Sequence, residues 1–176
     1  MDKQTARRIG LNARASVSAE KRAAYDAALL VRMKRLARHA AMVGCYVSRS
    51  DEPDTHVFLE WCFQNQIPVA VPKVEGSTLG FYRIASMHDL KPGCFGVLEP
   101  EQGTRVAADE IDLMFVPLSS FDGQNNRTGY GKGYYDSILT RAMYKVGIAY
   151  PEQQVDQIDA DPWDIRLNGM ILPDET

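Results

Sequence analysis

Two helices at the start of the chain are the first elements that its hydrophobic pattern predicts. Residues 3–15 and 18–38 have helical composition and spacing, and Ser18 is placed as the N-cap of the second helix. In that helix the apolar side chains recur every three or four residues, at Tyr25, Leu29, Met33 and Leu36. This spacing predicts a stripe that faces the protein core.

Short apolar runs alternate with helical segments through the rest of the chain. A helix is predicted over 55–66, capped by Asp54 or Thr55, and another begins at Ser137. Residues 83–110 are predicted as mixed loop because proline and glycine punctuate them. The predicted strands are 42–47, 69–72, 78–82, 113–117, 146–150 and 170–172.

This alternation is typical of the α/β class. We predict a three-layer α/β/α arrangement with a mostly parallel central sheet and two N-terminal helices, in a single domain spanning residues 1–176. The apolar run at 113–117 is unbroken, which is expected of a central strand covered on both faces.

The composition is that of an ordinary globular protein, with 45% hydrophobic residues, 24% charged residues and a net charge of -3. This charge gives no general reason to expect nucleic acid as a partner, and no apolar run has the length of a membrane span. The N-terminus lacks the apolar core of a signal peptide. Cys45, Cys62 and Cys94 show no paired spacing. We therefore expect a cytoplasmic monomer with reduced, mostly buried thiols and no membrane partner.

Polar residues follow two of the predicted strands. Parallel sheets bind ligands at the carboxyl ends of their strands, so the turns after Val47, Pro72 and Pro117 are candidate positions. Residues 48–55 and 119–123 bring more carboxylates and hydroxyls to these turns than a turn requires. The ligand site is therefore expected at this edge of the sheet.

A glycine-rich segment at 125–136 is the strongest sign of a binding site. Glycine lets backbone N–H groups converge on an anion, and here it occupies alternate positions, at Gly129, Gly131 and Gly133. Arg127 and Lys132 add positive charge, and the helix predicted after the segment would direct its positive N-terminus to the same place. Asp136 is placed to hold a metal ion between phosphate oxygens. This pattern predicts a nucleoside triphosphate site.

Three familiar loop motifs do not fit the segment. A Walker A loop would need glycine at Asn126 and serine or threonine at Gly133. A dinucleotide-binding fingerprint would need its third glycine one residue later. An EF-hand loop beginning at Asp122 would need glycine at Arg127. A glycine-rich hairpin without any ligand remains an open alternative.

The first helix carries a basic stripe. Lys3, Arg7 and Arg14 fall within about 40° of one another on a helical wheel. Such stripes are more often a solvated face than a binding site, and both interpretations stay open on spacing alone.

These motifs together resemble the 5-formyltetrahydrofolate cyclo-ligase family, also called 5,10-methenyltetrahydrofolate synthetases, over essentially the whole chain. The resemblance rests on the strand 112–117, the pair Phe121-Asp122 and above all the run 127–136. Supporting matches are Lys3-x-x-x-Arg7 and the segments 51–55 and 96–100. It implies an ATP- and Mg²⁺-dependent conversion of 5-formyltetrahydrofolate to 5,10-methenyltetrahydrofolate with release of ADP and phosphate.

The resemblance also implies roles for individual residues. ATP phosphates would contact Lys3, Arg7, Arg127, Thr128, Gly129, Tyr130, Gly131, Lys132, Gly133, Tyr134 and Tyr135. The folate would contact Val47, Glu52, Tyr130, Gly131, Lys132, Gly133 and Tyr134. Magnesium would be held by Asp136 and Asp164. Phe81 is a further aromatic residue that is either a stacking partner or simply part of the core.

Four residues depart from the usual family pattern: Asn126 stands for glycine, Ser137 for arginine, Trp163 for histidine and Asn168 for aspartate. The two around Asp164, Trp163 and Asn168, motivate an alternative hypothesis, a non-catalytic folate- or nucleotide-binding protein on the same scaffold. A sugar-phosphate isomerase or CoA-transferase-like enzyme is a third hypothesis, which rests on sheet architecture alone and predicts no ATP requirement.

Overall fold

A computed structural model describes residues 1–173, so the last three residues of the predicted domain lie outside the described residues. The helices are α1 (Lys3–Ala15), α2 (Ala19–Ala37) and α3 (His56–Gln64). The strands are β1 (Val43–Cys45), β2 (Val69–Glu75), β3 (Thr78–Arg83), β4 (Leu90–Pro92), β5 (Leu98–Pro100), β6 (Thr104–Val106), β7 (Leu113–Val116), β8 (Ser120–Phe121), β9 (Arg127–Thr128), β10 (Tyr144–Ile148) and β11 (Gly169–Ile171).

The central sheet has seven strands in the order β11-β10-β7-β1-β2-β3-β6. Neighbours from β11 to β2 pair in parallel, whereas β3 is antiparallel to both β2 and β6. In the centre, Val43 of β1 lies between Val69 of β2 and Leu113 of β7. The predicted α/β class and mostly parallel sheet are confirmed, and the segment 83–110 contains short strands besides the predicted loop.

Strand β7 is buried on both faces because its side chains alternate between two hydrophobic clusters. Leu113 and Phe115 pack in the cluster that contains α2 and α3 residues such as Met33 and Phe58. Met114 and Val116 pack in the opposite cluster, with residues that follow the glycine-rich segment, including Leu139 and Met143. The unbroken apolar run therefore reflects a central strand, as predicted.

Side-chain caps fix where the helices begin. Asp2 accepts a hydrogen bond from the Thr5 N–H at 2.7 Å. Ser18, the predicted N-cap of α2, accepts one from the Lys21 N–H at 3.1 Å. Of the two residues predicted to cap α3, Asp54 is the one whose side chain makes the capping hydrogen bonds. Its carboxylate accepts from the N–H groups of residues 56 and 57, each at 3.3 Å.

The predicted helix beginning at Ser137 is wrong. The chain makes a single turn there, in which the N–H groups of Ile138 and Leu139 both donate to the Tyr135 carbonyl. The carbonyls of Thr140 and Met143 accept from the Lys145 ammonium at 2.8 and 3.1 Å instead of from helical N–H groups. No helix dipole from this segment reaches the glycine-rich loop, so its positive charge comes from side chains.

Helix α1 packs unusually close to the chain before β8. A Cβ added to Gly10 would lie 2.0 Å from the Ser119 carbonyl oxygen, so only glycine allows this approach. Ala6, on the same side of α1, is fully buried. This contact fixes the position of the basic stripe of α1 relative to the glycine-rich loop.

The described residues include no helix with both the length and the apolar character needed to cross a membrane. All three cysteines are free; Cys45 and Cys62 are buried and Cys94 is exposed. Burial raises the pKa of the Cys62 thiol to about 12 and raises the pKa of the Cys45 thiol well above its ordinary value, so both buried thiols stay protonated.

Candidate active site

A cavity of about 460 Å³ lies at the carboxyl ends of the parallel strands. Val47 and Pro117, which follow β1 and β7, contribute to its lining, as does Pro72. This is the sheet edge at which the sequence predicts a ligand site. The turn predicted after Pro72 is wrong, because β2 continues to Glu75. The predicted ATP, folate and metal residues all line the same cavity: Lys3, Arg7, Val47, Glu52, Arg127, Thr128, Gly129, Tyr130, Gly131, Lys132, Gly133, Tyr134, Tyr135, Asp136 and Asp164.

The base of the glycine-rich loop is a two-stranded hairpin, β8–β9, organised by Asp122. Its buried carboxylate accepts hydrogen bonds from four groups: the N–H of Gln124, the N–H and side-chain amide of Asn126, and the N–H of Ile158, at 2.9 to 3.1 Å. Desolvation disfavours the charged carboxylate and so acts to raise the pKa of Asp122. The hydrogen bonds outweigh this effect and lower the pKa below its ordinary value. Asn126, in place of the family's usual glycine, is thus part of the hairpin.

Helix α1 is hydrogen-bonded to this loop. The Arg7 Nε donates to the Gly129 carbonyl at 2.9 Å, and the Ser119 hydroxyl donates to the same oxygen at 2.8 Å. Gly131 and Gly133 have φ of 89° and 69°, a left-handed region that other residues rarely adopt. The predicted basic stripe is therefore not a solvated face, because it lies against the loop.

Arg127 is a buried cation with incomplete hydrogen bonding. Its side chain is 7% exposed, and its contact with a carboxylate is a distant one, Nη2 to Asp136 Oδ1 at 3.5 Å. Across residues 1–173, the buried side-chain nitrogen and oxygen atoms without a hydrogen-bond partner are Arg127 Nε and the Tyr135 hydroxyl oxygen. Desolvation lowers the pKa of Arg127, although the Asp136 charge opposes this effect. Both orphaned groups belong to residues that line the cavity.

The predicted metal carboxylates are each paired with a predicted phosphate-binding cation. Lys3 Nζ lies 2.5 Å from Asp164 Oδ2 and 2.7 Å from Asp161 Oδ2. Desolvation disfavours the ammonium, but hydrogen bonds to these two aspartates raise the pKa of Lys3. Asp136 has Arg127 as its counterpart. Each predicted metal carboxylate thus already has a cation beside it on this side of the cavity.

Glu52 forms a separate polar centre within the same cavity and is 7% exposed. Its Oε1 accepts from the Arg49 N–H at 2.9 Å, and its Oε2 accepts from the Tyr130 hydroxyl at 3.0 Å. The Arg49 guanidinium also lies over the Tyr130 ring, 4.7 Å from its centroid. Burial and the nearby Glu52 charge raise the pKa of Tyr130 to about 12, so its hydroxyl remains a donor at neutral pH.

Comparison with known proteins assigns the family. The sequence profile of the 5-formyltetrahydrofolate cyclo-ligase family matches residues 1–173. The chain belongs to this family. It is 29% identical to the 5-formyltetrahydrofolate cyclo-ligase of Haemophilus influenzae over 144 residues, which cover 77% of each protein. With the Mycoplasma pneumoniae cyclo-ligase it shares 36% identity over 121 residues, 67% of this chain and 63% of that one.

Solved structures support the same assignment. The 5,10-methenyltetrahydrofolate synthetase of Aquifex aeolicus superposes with a TM-score of 0.87 at 31% identity, covering 98% of this chain and 90% of that one. The synthetase of Mycoplasma pneumoniae superposes with a TM-score of 0.78 at 28% identity, covering 97% and 98%. The predicted family and the prediction that the chain is an enzyme, a ligase of folate one-carbon metabolism, are confirmed.

Sequence reasoning missed several residues at this cyclo-ligase site. Glu99 is 8% exposed and accepts from the Val74 N–H at 2.7 Å, and Phe95 is 59% exposed with its ring 6.5 Å from that of Tyr134. Both line the cavity. Glu99 lies in the segment 96–100 that resembles the family, although the resemblance gave it no role, and Phe95 has no distinctive spacing. The resemblance implies no role for Arg14 of the basic stripe. Phe81 lies in the core, packed edge-on against Tyr135.

The departures near the C-terminus lie away from the site. Trp163 is 77% exposed, and Asn168 accepts from the Lys145 N–H at 2.8 Å, next to the pairing of β10 with β11. Neither residue lines the cavity. Ser137 donates its hydroxyl hydrogen to the Tyr134 carbonyl at 2.6 Å and belongs to the turn that replaces the expected helix.

The donor chemistry of the cavity fits a magnesium ion that arrives with phosphate. Asp136 and Asp164 supply the oxygen ligands that Mg²⁺ prefers, and their side chains are 50% and 19% exposed. Within residues 1–173 there is no cluster of three or more His, Cys, Asp or Glu side chains able to hold a metal. Substrate phosphate oxygens and water would therefore have to complete the coordination, as is usual for Mg²⁺.

We predict that Asp122→Asn lowers the free energy of unfolding by about 1–3 kcal/mol at pH 7, because the amide oxygen cannot accept all the hydrogen bonds that the carboxylate accepts. The folded-state pKa of Asp122 is depressed. Its contribution is therefore present above the unfolded pKa of about 3.9 and lost as the pH falls through the folded value. Urea unfolding at pH 7 and at pH 3 should show the difference between the two proteins shrinking in acid.

The matched control for this variant is Asp156→Asn, since Asp156 is exposed. It should alter the unfolding free energy by less than about 0.5 kcal/mol at either pH. Equal stability of the Asp122→Asn variant and the wild type at pH 7 would show that Asp122 does not organise the hairpin.

Proposed function

We propose that this cyclo-ligase catalyses the ATP-dependent closure of 5-formyltetrahydrofolate to 5,10-methenyltetrahydrofolate, with release of ADP and phosphate. The observation that carries the proposal is Arg127. Its guanidinium is buried in the cavity wall and its Nε has no partner within the described residues. Burying a cation this way costs free energy unless a ligand completes its hydrogen bonds. A phosphate oxygen is a suitable acceptor.

The phosphates would occupy the side of the cavity where α1 meets the glycine-rich loop. Lys3 and Arg7 approach from α1, and Arg127 and Lys132 from the loop. Gly131 and Gly133 have positive φ and carry no Cβ that would cover the backbone N–H groups of the loop. Asp136 and Asp164 are the residues that would hold Mg²⁺, which when bound neutralises charge on the phosphates.

The folate would occupy the part of the cavity around Glu52. The carboxylate oxygens of Glu52 accept hydrogen bonds, and the pterin ring of the folate offers N–H donors in its plane. Val47, Val74, Leu79 and Val97 supply apolar lining, and Tyr134 and Phe95 supply exposed aromatic surface against which a flat ring can pack. The two substrates would thus meet beside Tyr130, which contributes to both sides.

The chemistry follows from the weakness of a formamide as an electrophile. The formyl oxygen attacks the γ-phosphorus, forming an O–P bond while the P–O bond to ADP breaks. N10 then attacks the activated formyl carbon, a C–N bond forms, and the C–O bond breaks to release phosphate as N10 loses its proton. Such transfer requires positioning and charge stabilisation rather than a covalent protein intermediate. Arg7, Arg127 and Lys132 are the side chains placed to stabilise that charge.

The alternatives have weaker support. The departures that suggested a non-catalytic binder, Trp163 and Asn168, lie outside the cavity lining. The isomerase or CoA-transferase hypothesis rested on sheet architecture, whereas the relatives are named cyclo-ligases or synthetases. From the sequence we further propose a single-domain, monomeric, cytoplasmic enzyme that acts on small molecules without nucleic acid or membrane partners. The net charge of -3 gives no general reason to expect nucleic acid.

The proposal is tested with 5-formyltetrahydrofolate carrying ¹⁸O in its formyl group. With ATP and Mg²⁺ the enzyme should form the methenyl chromophore, and mass spectrometry should find the label in the released phosphate. Omitting ATP should abolish product. Tight folate binding without product would favour the non-catalytic binder. Product formation with unlabelled phosphate would exclude phosphorylation of the formyl oxygen.

Arg7→Ala should raise the KM for ATP by about 10-fold while the KM for 5-formyltetrahydrofolate changes by less than about 2-fold, because Arg7 lies on the proposed phosphate side of the cavity. Steady-state kinetics with each substrate varied in turn measures both constants. Arg8→Ala is the control, since Arg8 is the neighbouring exposed arginine of α1. An unchanged KM for ATP in Arg7→Ala would remove α1 from the nucleotide site.

A further inference from the structure

Arg14 is a buried charge to which the proposed chemistry gives no role. Its side chain, in the last turn of α1, is 2% exposed. Nη1 donates to the Tyr130 hydroxyl at 2.9 Å and to the Leu118 carbonyl at 3.4 Å. Nη2 donates to Asp51 Oδ2 at 2.9 Å. The guanidinium thus connects α1 to the glycine-rich loop and to the turn that carries Glu52.

The contact with Arg14 determines which way the Tyr130 hydroxyl points. A phenol oxygen has a single hydrogen to donate. Because Arg14 Nη1 approaches this oxygen as a donor, the oxygen accepts there and its hydrogen is left for Glu52 Oε2, 3.0 Å away. The other Glu52 oxygen is held by the Arg49 N–H. Both oxygens of the carboxylate are therefore oriented by donors of the protein itself.

The ring of Tyr130 is held by the same cations. The Arg14 guanidinium carbon lies 5.8 Å from the ring centroid, and that of Arg49 lies 4.7 Å from it. Arg14 in turn has little freedom, since Gly10 fixes α1 against the Ser119 carbonyl four residues earlier in the helix. The helix backbone thus fixes Arg14, Arg14 fixes Tyr130, and Tyr130 orients the Glu52 carboxylate.

We propose that Arg14 is a positioning residue for the folate: through the Tyr130 hydroxyl it orients the Glu52 carboxylate toward the ring that Glu52 binds. Arg14 does not line the cavity, so it acts without touching the substrate. The inference rests on the proposed function, in which Glu52 lies on the folate side. It adds that folate affinity depends on a buried residue of the helix whose other cations face the nucleotide.

The test compares binding of 5-formyltetrahydrofolate with binding of Mg·ADP by calorimetry. In Arg14→Lys the ammonium cannot reach Tyr130 and Asp51 together as the guanidinium fork does. The folate Kd should rise by about 10-fold while the ADP Kd changes by less than about 2-fold. Tyr130→Phe breaks the same relay from its other end. In the double variant the loss should be no greater than the larger single loss, since both changes interrupt one path.

Arg8→Lys is the control and should leave both affinities and the thermal midpoint unchanged, because Arg8 is exposed on the same helix. If Arg14→Lys does not fold, Asp51→Asn releases the Nη2 side of Arg14 and should weaken folate binding selectively by about 3-fold. Additive losses in the double variant, or parallel losses of folate and ADP affinity, would overturn the proposal. If the wild type binds neither ligand, the proposed function itself fails, a distinct result.

Discussion

The close contact between α1 and the chain before β8 is the constraint on which the site depends. Gly10 lets the helix backbone approach the Ser119 carbonyl to a distance that any side chain would prevent. Once α1 is fixed there, Arg7 reaches the Gly129 carbonyl and Arg14 reaches the Tyr130 hydroxyl, on consecutive residues of the loop. The N-terminal helix therefore forms part of the cavity wall and is not an addition to the sheet.

The electrostatics of the cavity suit a ligand that brings both signs of charge. The carboxylates of Asp136 and Asp164 are paired with Arg127 and Lys3 in the protein alone. A metal–polyphosphate complex offers oxygens to the cations and a metal to the carboxylates, and it can replace both pairs without leaving a buried charge alone. Arg127, whose Nε lacks a partner even in the ion-paired state, has the most to gain.

Local sequence patterns predicted the fold well, because the hydrophobic repeat and the capping residues of these elements lie within the elements themselves or directly beside them. The central strand β7 was evident from its apolar run, and α2 from Ser18 and its stripe. The prediction of a helix from Ser137 was wrong because tertiary contacts determine the conformation of that segment. The Lys145 ammonium donates hydrogen bonds to the carbonyls of Thr140 and Met143. The glycine-rich loop could be predicted as a binding segment from its unusual pattern of glycine at alternate positions. Glu99 and Phe95 could not, since only the three-dimensional path brings them to the cavity.

The most direct test of the central claim is a crystal structure of the enzyme with Mg·ADP and 5-formyltetrahydrofolate. We predict a phosphate oxygen within hydrogen-bonding distance of Arg127 Nε. We also expect Asp136 and Asp164 to bind the metal and Glu52 to contact the pterin. A nucleotide bound away from residues 127–136, with Arg127 Nε still lacking an acceptor, would contradict this claim.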